Sequence, residues 1–282
     1  MQRRASWDAL PSTSLVEIFC RTPIKDRFCS LPLVCRSWAD VSRNPRCWAS
    51  MIPAEHSSSA CAFDDAFIKH SSSSSSYSRL DSLAFDDPFD GRRSPDSDRG
   101  LAMLRSLITR GAGGAAVTSL YFFPFLTCVE AFRPNDDALL RLIAQSCPNL
   151  RHLSFHGSYN ATEGAILEVM SKCPKLELID FSDSPYFTPT VLEHMSTCCP
   201  DVRGIRRNGF LQPGFASALA VGFPNLRILN LSGSTIVDKD LLTIMTARIG
   251  IQYLDITNCQ QLKCYMHIIK RAPVQISQIL FD

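Results

Sequence analysis

Between residues 147 and 256 the chain repeats one hydrophobic phrase. Five segments align: Cys-Pro-Asn-Leu-Arg-His-Leu-Ser-Phe at 147–155, Cys-Pro-Lys-Leu-Glu-Leu-Ile-Asp-Phe at 173–181, Cys-Pro-Asp-Val-Arg-Gly-Ile-Arg-Arg at 199–207, Phe-Pro-Asn-Leu-Arg-Ile-Leu-Asn-Leu at 223–231 and Arg-Ile-Gly-Ile-Gln-Tyr-Leu-Asp-Ile at 248–256. Their starts lie 24 to 26 residues apart. The apolar triplets are Leu150/Leu153/Phe155, Leu176/Ile179/Phe181, Leu226/Leu229/Leu231 and Ile251/Leu254/Ile256. Their last two members alternate with other residues, as along a strand with one buried face. Weaker copies stand at Leu80/Leu83/Phe85, Val117/Leu120/Phe122 and Ile276/Ile279/Phe281. Before each strand the period changes. Leu140/Ile143/Cys147, Ile166/Val169/Cys173, Leu192/Met195/Cys199 and Ala216/Leu219/Phe223 recur at the spacing of one helix face.

Each unit is therefore a short strand plus a helix, and neither element can bury its apolar side alone. Neighbours must stack into a curved solenoid. The spacing L-x-x-L-x-L at this period is the signature of leucine-rich repeats. Residues between the triplet positions are expected on the concave face: Ser119/Tyr121/Phe123, His152/Ser154/His156, Leu178/Asp180/Ser182, Gly204/Arg206/Asn208, Ile228/Asn230/Ser232 and Tyr253/Asp255/Thr257. From this row Tyr121, Phe123, His156, Arg206 and Tyr253 are the candidate substrate contacts, because tyrosine and arginine often anchor protein interfaces. The third unit breaks the pattern. Arg207 occupies the position held elsewhere by Phe155, Phe181, Leu231 and Ile256, and with Arg203 and Arg206 it makes a basic spot. Two explanations are open: a bulge in the strand that re-aims the arginines, or a degenerate repeat.

The first fifty residues follow a different rule. Leu10-Pro11 opens a helix over Ser12 to Arg21, with Leu15, Ile18 and Phe19 as one apolar stripe. Thr22-Pro23 reads as a cap and first-turn proline for a short helix reaching Cys29. Pro32 restarts the chain into a helix carrying Leu33, Val34, Trp38 and Val41, and Asn44-Pro45 repeats the capping device before Trp48. So few short helices bury little surface alone, and a partner would complete them. The ordered set Trp7-Asp8-Ala9-Leu10-Pro11, the Leu/Ile/Phe stripe, Val34-Cys35-Arg36-Ser37-Trp38 and Asn44-Pro45-Arg46-Cys47-Trp48 resembles the F-box. That helical module docks on the Skp-family adaptor of cullin-type ubiquitin ligases. By this resemblance Leu10, Pro11, Leu15, Ile18, Val34, Cys35 and Trp38 match the family motif and are the candidate adaptor-binding residues, the tryptophans mostly packing the module. One departure is Thr22-Pro23, where many members carry a leucine and a short polar turn. The cysteines closing the helices of the array are similar to those of the cysteine-containing repeats behind many F-boxes, and the layout resembles plant F-box/leucine-rich-repeat proteins.

The expected fold class is thus an α/β repeat: an F-box-like helical module over 1–52, a Ser-rich linker over 53–78, and a leucine-rich-repeat solenoid over 79–282. The runs Ser57-Ser58-Ser59 and Ser71 to Ser76 define the linker. A polar stretch from Asp86 to Arg99 reads as a loop inserted in the first repeat.

Composition narrows the function. Apolar residues make up 45% and charged residues 20%, ordinary for a globular chain. The net charge of +2 gives no field that favours nucleic acid or anionic lipid. No run of about 18 apolar residues or leader pattern appears. The expectation is a chain of the nucleus or cytoplasm with no membrane or nucleic-acid partner. The twelve cysteines then belong in a reducing compartment; three recur at repeat spacing, C-x-x-C is absent, and neither a metal site nor a disulfide framework is expected. No phosphate-cradling, dinucleotide, zinc-protease or nucleophile-elbow motif occurs. Gly111-Ala112-Gly113-Gly114 reads as a helix stop after Leu101 to Arg110. His152 and His156, about 13 Å apart along a strand, cannot share one metal.

A non-catalytic, cofactor-free adaptor subunit follows as the expectation. Its front would dock on the Skp-family protein and through it a cullin–RING ligase, while the repeats hold a protein substrate. The alternative is a structural or regulatory repeat protein without ubiquitin transfer; an enzyme is the remaining class, disfavoured for want of any motif.

Overall fold

The computed structural model describes residues 10–22, 26–27, 30–48, 50–51, 105–106, 108, 114–122, 136–155, 157–158, 160–247, 250–270 and 276–281. The expected helix at 23–29, the serine tracts, the first weak repeat at 80–85 and the loop at 86–99 fall largely or wholly outside these residues.

Helix α1 spans Ser12–Arg21 and buries Leu15, Val16 and Phe19. The inward stripe is therefore Leu15/Val16/Phe19, with Ile18 only half-buried. The single helix expected after Pro32 divides. A 3-10 turn covers Leu31–Leu33, Cys35 is extended at φ −163° and ψ 173°, and helix α2 runs from Arg36 to Val41. An extended residue is the usual backbone state at a helix N-cap, and here it separates the two turns. Trp38 packs edge-on against Phe19, ring centroids 5.8 Å apart. A second 3-10 turn, Pro45–Trp48, follows Asn44, whose Oδ1 accepts the Arg46 N–H at 3.0 Å. The Trp48 indole donates to the Ser42 carbonyl at 2.7 Å, so this buried polar edge is satisfied.

Among the described residues the array is one parallel sheet of eight strands in sequence order: β1 (Ser50–Met51), β2 (Ser119–Phe122), β3 (His152–Phe155), β4 (Leu178–Asp180), β5 (Gly204–Arg206), β6 (Ile228–Asn230), β7 (Tyr253–Asp255) and β8 (Gln278–Leu280). Between successive strands run α3 (Asp136–Ser146), α4 (Glu163–Lys172), α5 (Pro189–Cys198), α6 (Phe215–Gly222), α7 (Asp238–Thr246) and α8 (Tyr265–Ile269). Leu153, Ile179, Ile205, Leu229, Leu254 and Ile279 align across the sheet, as the repeat alignment requires. Thr162 and Thr188 cap α4 and α5 by accepting the N–H three residues on, and Pro189 opens α5 where no donor is needed. Cys147, Cys173 and Cys199 end their helices inside the core, where burial pushes each thiol up to about 12. They act as small hydrophobes.

The sheet begins inside the N-terminal module. Ser50 pairs with Ser119 and Met51 with Leu120, so the module is hydrogen-bonded to the solenoid's leading edge. Its core residues belong to the same hydrophobic cluster as those of the repeats. Joining the two covers an edge strand that would otherwise expose unpaired backbone.

Candidate functional site

At the front of the molecule, the seven motif positions separate by burial. Leu15 is completely buried and Trp38 nearly so; they hold α1 against α2 and cannot also present side chains to another subunit. The reading of these two as adaptor contacts is corrected on that ground: inward positions of α1 and α2 are occupied in closing the module. Pro11 is exposed, Leu10, Ile18 and Cys35 are half-buried, and Val34 is 54% exposed. Leu33, which the motif did not single out, is 84% exposed. The signal for it was available: Leu31-Pro32-Leu33-Val34 puts more apolar residues on one short turn than a single buried face can take. The ion pairs nearby, Arg43–Asp40 at 2.9 Å and Arg46–Glu17 at 3.2 Å, are exposed and of small energetic weight. The entry to α1 and the turn at 31–35 thus carry apolar side chains that the module itself does not cover.

The expected concave row behaves otherwise. Ser154, Leu178, Asp180, Ser182, Arg206, Ile228, Asn230, Ser232, Tyr253 and Asp255 are all buried. The expectation of a solvated recognition face is overturned for these positions, and Arg206 and Tyr253 with it. The side chain of Tyr121, and all of Phe123 and His156, lie outside the described residues. Hydrogen bonds between neighbouring repeats explain how the polar members tolerate burial. The Ser154 hydroxyl donates to Asp180 Oδ2 at 3.0 Å, and the Asn230 amide donates to Asp255 Oδ2 at 3.3 Å. The other oxygen of each acid, and the single oxygen of the Asn230 amide, accepts a backbone N–H two residues on: Ser182 to Asp180, Ser232 to Asn230 and Thr257 to Asp255, at 2.9 to 3.1 Å. Each is an Asx turn that ends a strand.

Arg206 and Arg207 interrupt this series without a bulge, since Asp180, Arg206 and Asn230 remain in register. Arg207, 2% exposed, takes the core position and turns its guanidinium to carbonyls. It donates to the carbonyls of Asn208, Ser184 (2.8 Å) and Phe210 (2.7 Å). Burial draws its pKa down to about 10, against the pull of Asp183 and Asp180. Arg203 is committed too, to Glu177 at 3.2 Å, which also binds Arg151 at 2.5 Å. Two of the three arginines of the expected basic spot, Arg206 and Arg207, are thus buried. Instead Arg207 ties together the loops after β4 and β5, helped by the Gln212 amide donating to the Pro185 carbonyl at 3.1 Å. Gly209 stands in that loop at φ +81°, a backbone conformation that other residues rarely adopt. The two loops expose Tyr186 (45%) and Phe210 (61%). Neither residue was legible beforehand, since both fall between periodic segments.

Among the described residues no three His, Cys, Asp or Glu side chains group as metal ligands, and no helix is long and apolar enough to cross a membrane. His194 on α5 contacts both the Ser171 hydroxyl (2.7 Å) and the Cys198 thiol (3.4 Å) through the same Nε2. One nitrogen shared in this way provides no ordered nucleophile–base relay.

Comparison with known proteins agrees with the front half of this description. Residues 7–50 match the model of the F-box domain family. Along nearly its whole length the chain is similar to three Arabidopsis thaliana proteins. It is 24% identical to F-box protein SKIP1, over 92% of this chain and 80% of that one. It is 22% identical to putative F-box/LRR-repeat protein 23, over 97% of this chain and 53% of that one, so it spans about half of that relative. It is 22% identical to F-box protein FBW2, over 90% of this chain and 68% of that one.

Proposed function

For a chain that is an F-box/leucine-rich-repeat protein of the plant type, we propose the role of substrate receptor in a Skp–cullin–F-box ubiquitin ligase. The observation that carries the proposal is the uncovered apolar turn at Leu33 and Val34, within the segment that matches the F-box domain. With Pro11 and the half-buried Leu10, Ile18 and Cys35, it offers the adaptor an apolar face that a second protein would remove from water. No bond-making residue is assigned to the chain. It acts by tethering, raising the local concentration of substrate lysines near the charged conjugating enzyme. The array serves as a stiff spacer, and its substrate contact is the edge formed by Tyr186 and Phe210, in the nucleus or cytoplasm.

Reconstitution tests this directly. The purified chain should capture a Skp-family adaptor and, through it, a cullin. A Leu33→Glu/Val34→Glu chain should lose both while keeping its melting temperature. A Tyr186→Ala/Phe210→Ala chain should keep adaptor and cullin but lose proteins that accumulate on the wild type when the proteasome is blocked. Adaptor capture without cullin would favour a regulatory repeat protein that transfers no ubiquitin.

A further inference from the structure

Two thiols sit side by side within the N-terminal module. Cys20 lies in the last turn of α1, and Cys47 in the 3-10 turn Pro45–Trp48. Both are free, and Cys20 packs against the backbone of Arg46, the residue before Cys47. Cys47 is completely buried, its sulfur 3.6 Å from the Val41 carbonyl. Cys20 is half-buried, so a small solute can reach it, and as a thiol it donates to the Arg46 carbonyl at 3.4 Å. Beneath them lies a buried cation. Arg27 is 3% exposed and donates to the Cys47 carbonyl at 2.7 Å.

The surroundings divide the roles. A hydrogen bond from Cys47 draws the Cys20 thiol down to about 7, aided by the charges of Arg27 and Arg46 and opposed by burial and Glu17. Cys47 moves strongly upward, by the same hydrogen bond and by burial. Cys20 therefore carries the thiolate and Cys47 keeps its proton. In the repeat cores burial is the largest influence, and it raises the thiols of Cys173 and Cys199.

We propose that Cys20 and Cys47 are an oxidisable pair that closes to a disulfide on meeting a hydroperoxide, and that the closed form binds the adaptor more weakly. The Cys20 thiolate attacks one peroxide oxygen, the O–O bond breaks, and the departing alkoxide or hydroxide takes the Cys47 proton. The Cys47 thiolate then attacks the sulfur of the Cys20 sulfenic acid, and hydroxide leaves to be protonated from solvent. Two thiols are oxidised by two electrons; one hydroperoxide is reduced to alcohol and water. Bond formation draws the sulfurs to about 2.05 Å, which pulls the end of α1 toward the turn at 45–48. It also removes the thiolate that offsets the buried Arg27 charge. Because Ile18 lies on α1 and Leu10-Pro11 leads into it, the docking face shifts with the helix. The docking clause rests on the adaptor reading; the oxidisable pair does not.

The test exposes the reduced full chain to graded hydrogen peroxide, blocks remaining thiols, and maps peptides without reduction. A peptide linking Cys20 to Cys47 should accumulate before the exposed Cys264 reacts. Cys20→Ser should abolish the link, and Cys264→Ser should leave it unchanged. Should the buried Cys47→Ser variant fail to fold, the half-buried Cys20→Ser variant carries the test, with melting curves as control. Oxidation of Cys264 or Cys35 ahead of the pair, or Cys20 reaching sulfinic acid without joining Cys47, overturns the proposal. Oxidised wild type should bind the adaptor about fivefold or more weakly, reversibly with a reducing agent; equal binding overturns the docking clause. A reduced chain that binds no adaptor refutes the adaptor reading and that clause, while the linked peptide still upholds the pair.

Discussion

The turn at 31–35 leaves Leu33 and Val34 in water, whereas the strands of the array bury even their polar row, Ser154, Asp180, Asn230 and Asp255. Both regions are built from short elements that cannot close a core alone. The array solves that problem by repetition: each strand and helix finds its cover in the next copy, and polar groups find partners one repeat away. The module has no neighbouring copy. It closes Leu15, Phe19, Trp38 and Trp48 inside, adds β1 to the sheet, and still has apolar side chains uncovered. The array exposes apolar side chains too, Val221 and Phe210 among them, but Leu33 and Val34 lie next to each other on one short turn of the module.

The contrast breaks first in the core. Phe181 lies between Phe155 and Phe187, its ring stacked 5.1 Å from that of Phe187. Phe181→Ala should cost about 3–5 kcal/mol of stability, read as a lower urea midpoint. A change below about 1 kcal/mol would mean that the repeats are not close-packed. Next comes the module surface. Leu33→Glu/Val34→Glu should leave stability within about 0.5 kcal/mol and weaken adaptor binding by about 2–4 kcal/mol, measured calorimetrically. The buried polar row ranks third. Asp180→Ala leaves the Ser154 hydroxyl and the Ser182 N–H unpaired and should cost about 1–3 kcal/mol; Asp180→Asn, which can reproduce both contacts, should cost less.

The smallest effect is a pH slope. The folded Cys20 thiol ionises near 7, below the ordinary value of about 8.5. A group whose pKa falls on folding stabilises the folded chain above its unfolded value, and that contribution fades as pH drops through the folded one. Wild type should therefore gain thermal stability over Cys20→Ser as pH rises from about 7 to about 8.5, judged from melting temperatures. A flat difference would mean that no thiolate forms there.

The elements that repetition dictates were legible in the sequence. The strand register from Leu153 to Ile279, the helix faces ending in Cys147, Cys173 and Cys199, and α1 over Ser12–Arg21 all follow from apolar spacing. Spacing failed where it no longer decides the outcome. A period of two says that Asp180 and Leu153 face opposite sides of the sheet; it cannot say that both sides are covered. It flagged Arg207 as an irregularity, yet the side chain turned to three carbonyls on loops whose path no pattern encodes. At the site, Pro11 and Val34 carry a motif whose members share no single face, so Leu15 and Trp38 were grouped with them and Leu33 was passed over. The Cys20–Cys47 contact joins residues 27 apart through the packing of α1 on a 3-10 turn, and nothing local announces it.

Side-chain oxidative footprinting of the intact chain, alone and with a Skp-family adaptor, puts the contrast to the sharpest test. Leu33 and Val34 should label heavily when free and lose most of that labelling in the complex, while Tyr186 and Phe210 keep theirs. Protection of Tyr186 and Phe210 with Leu33 and Val34 still reactive would contradict the account.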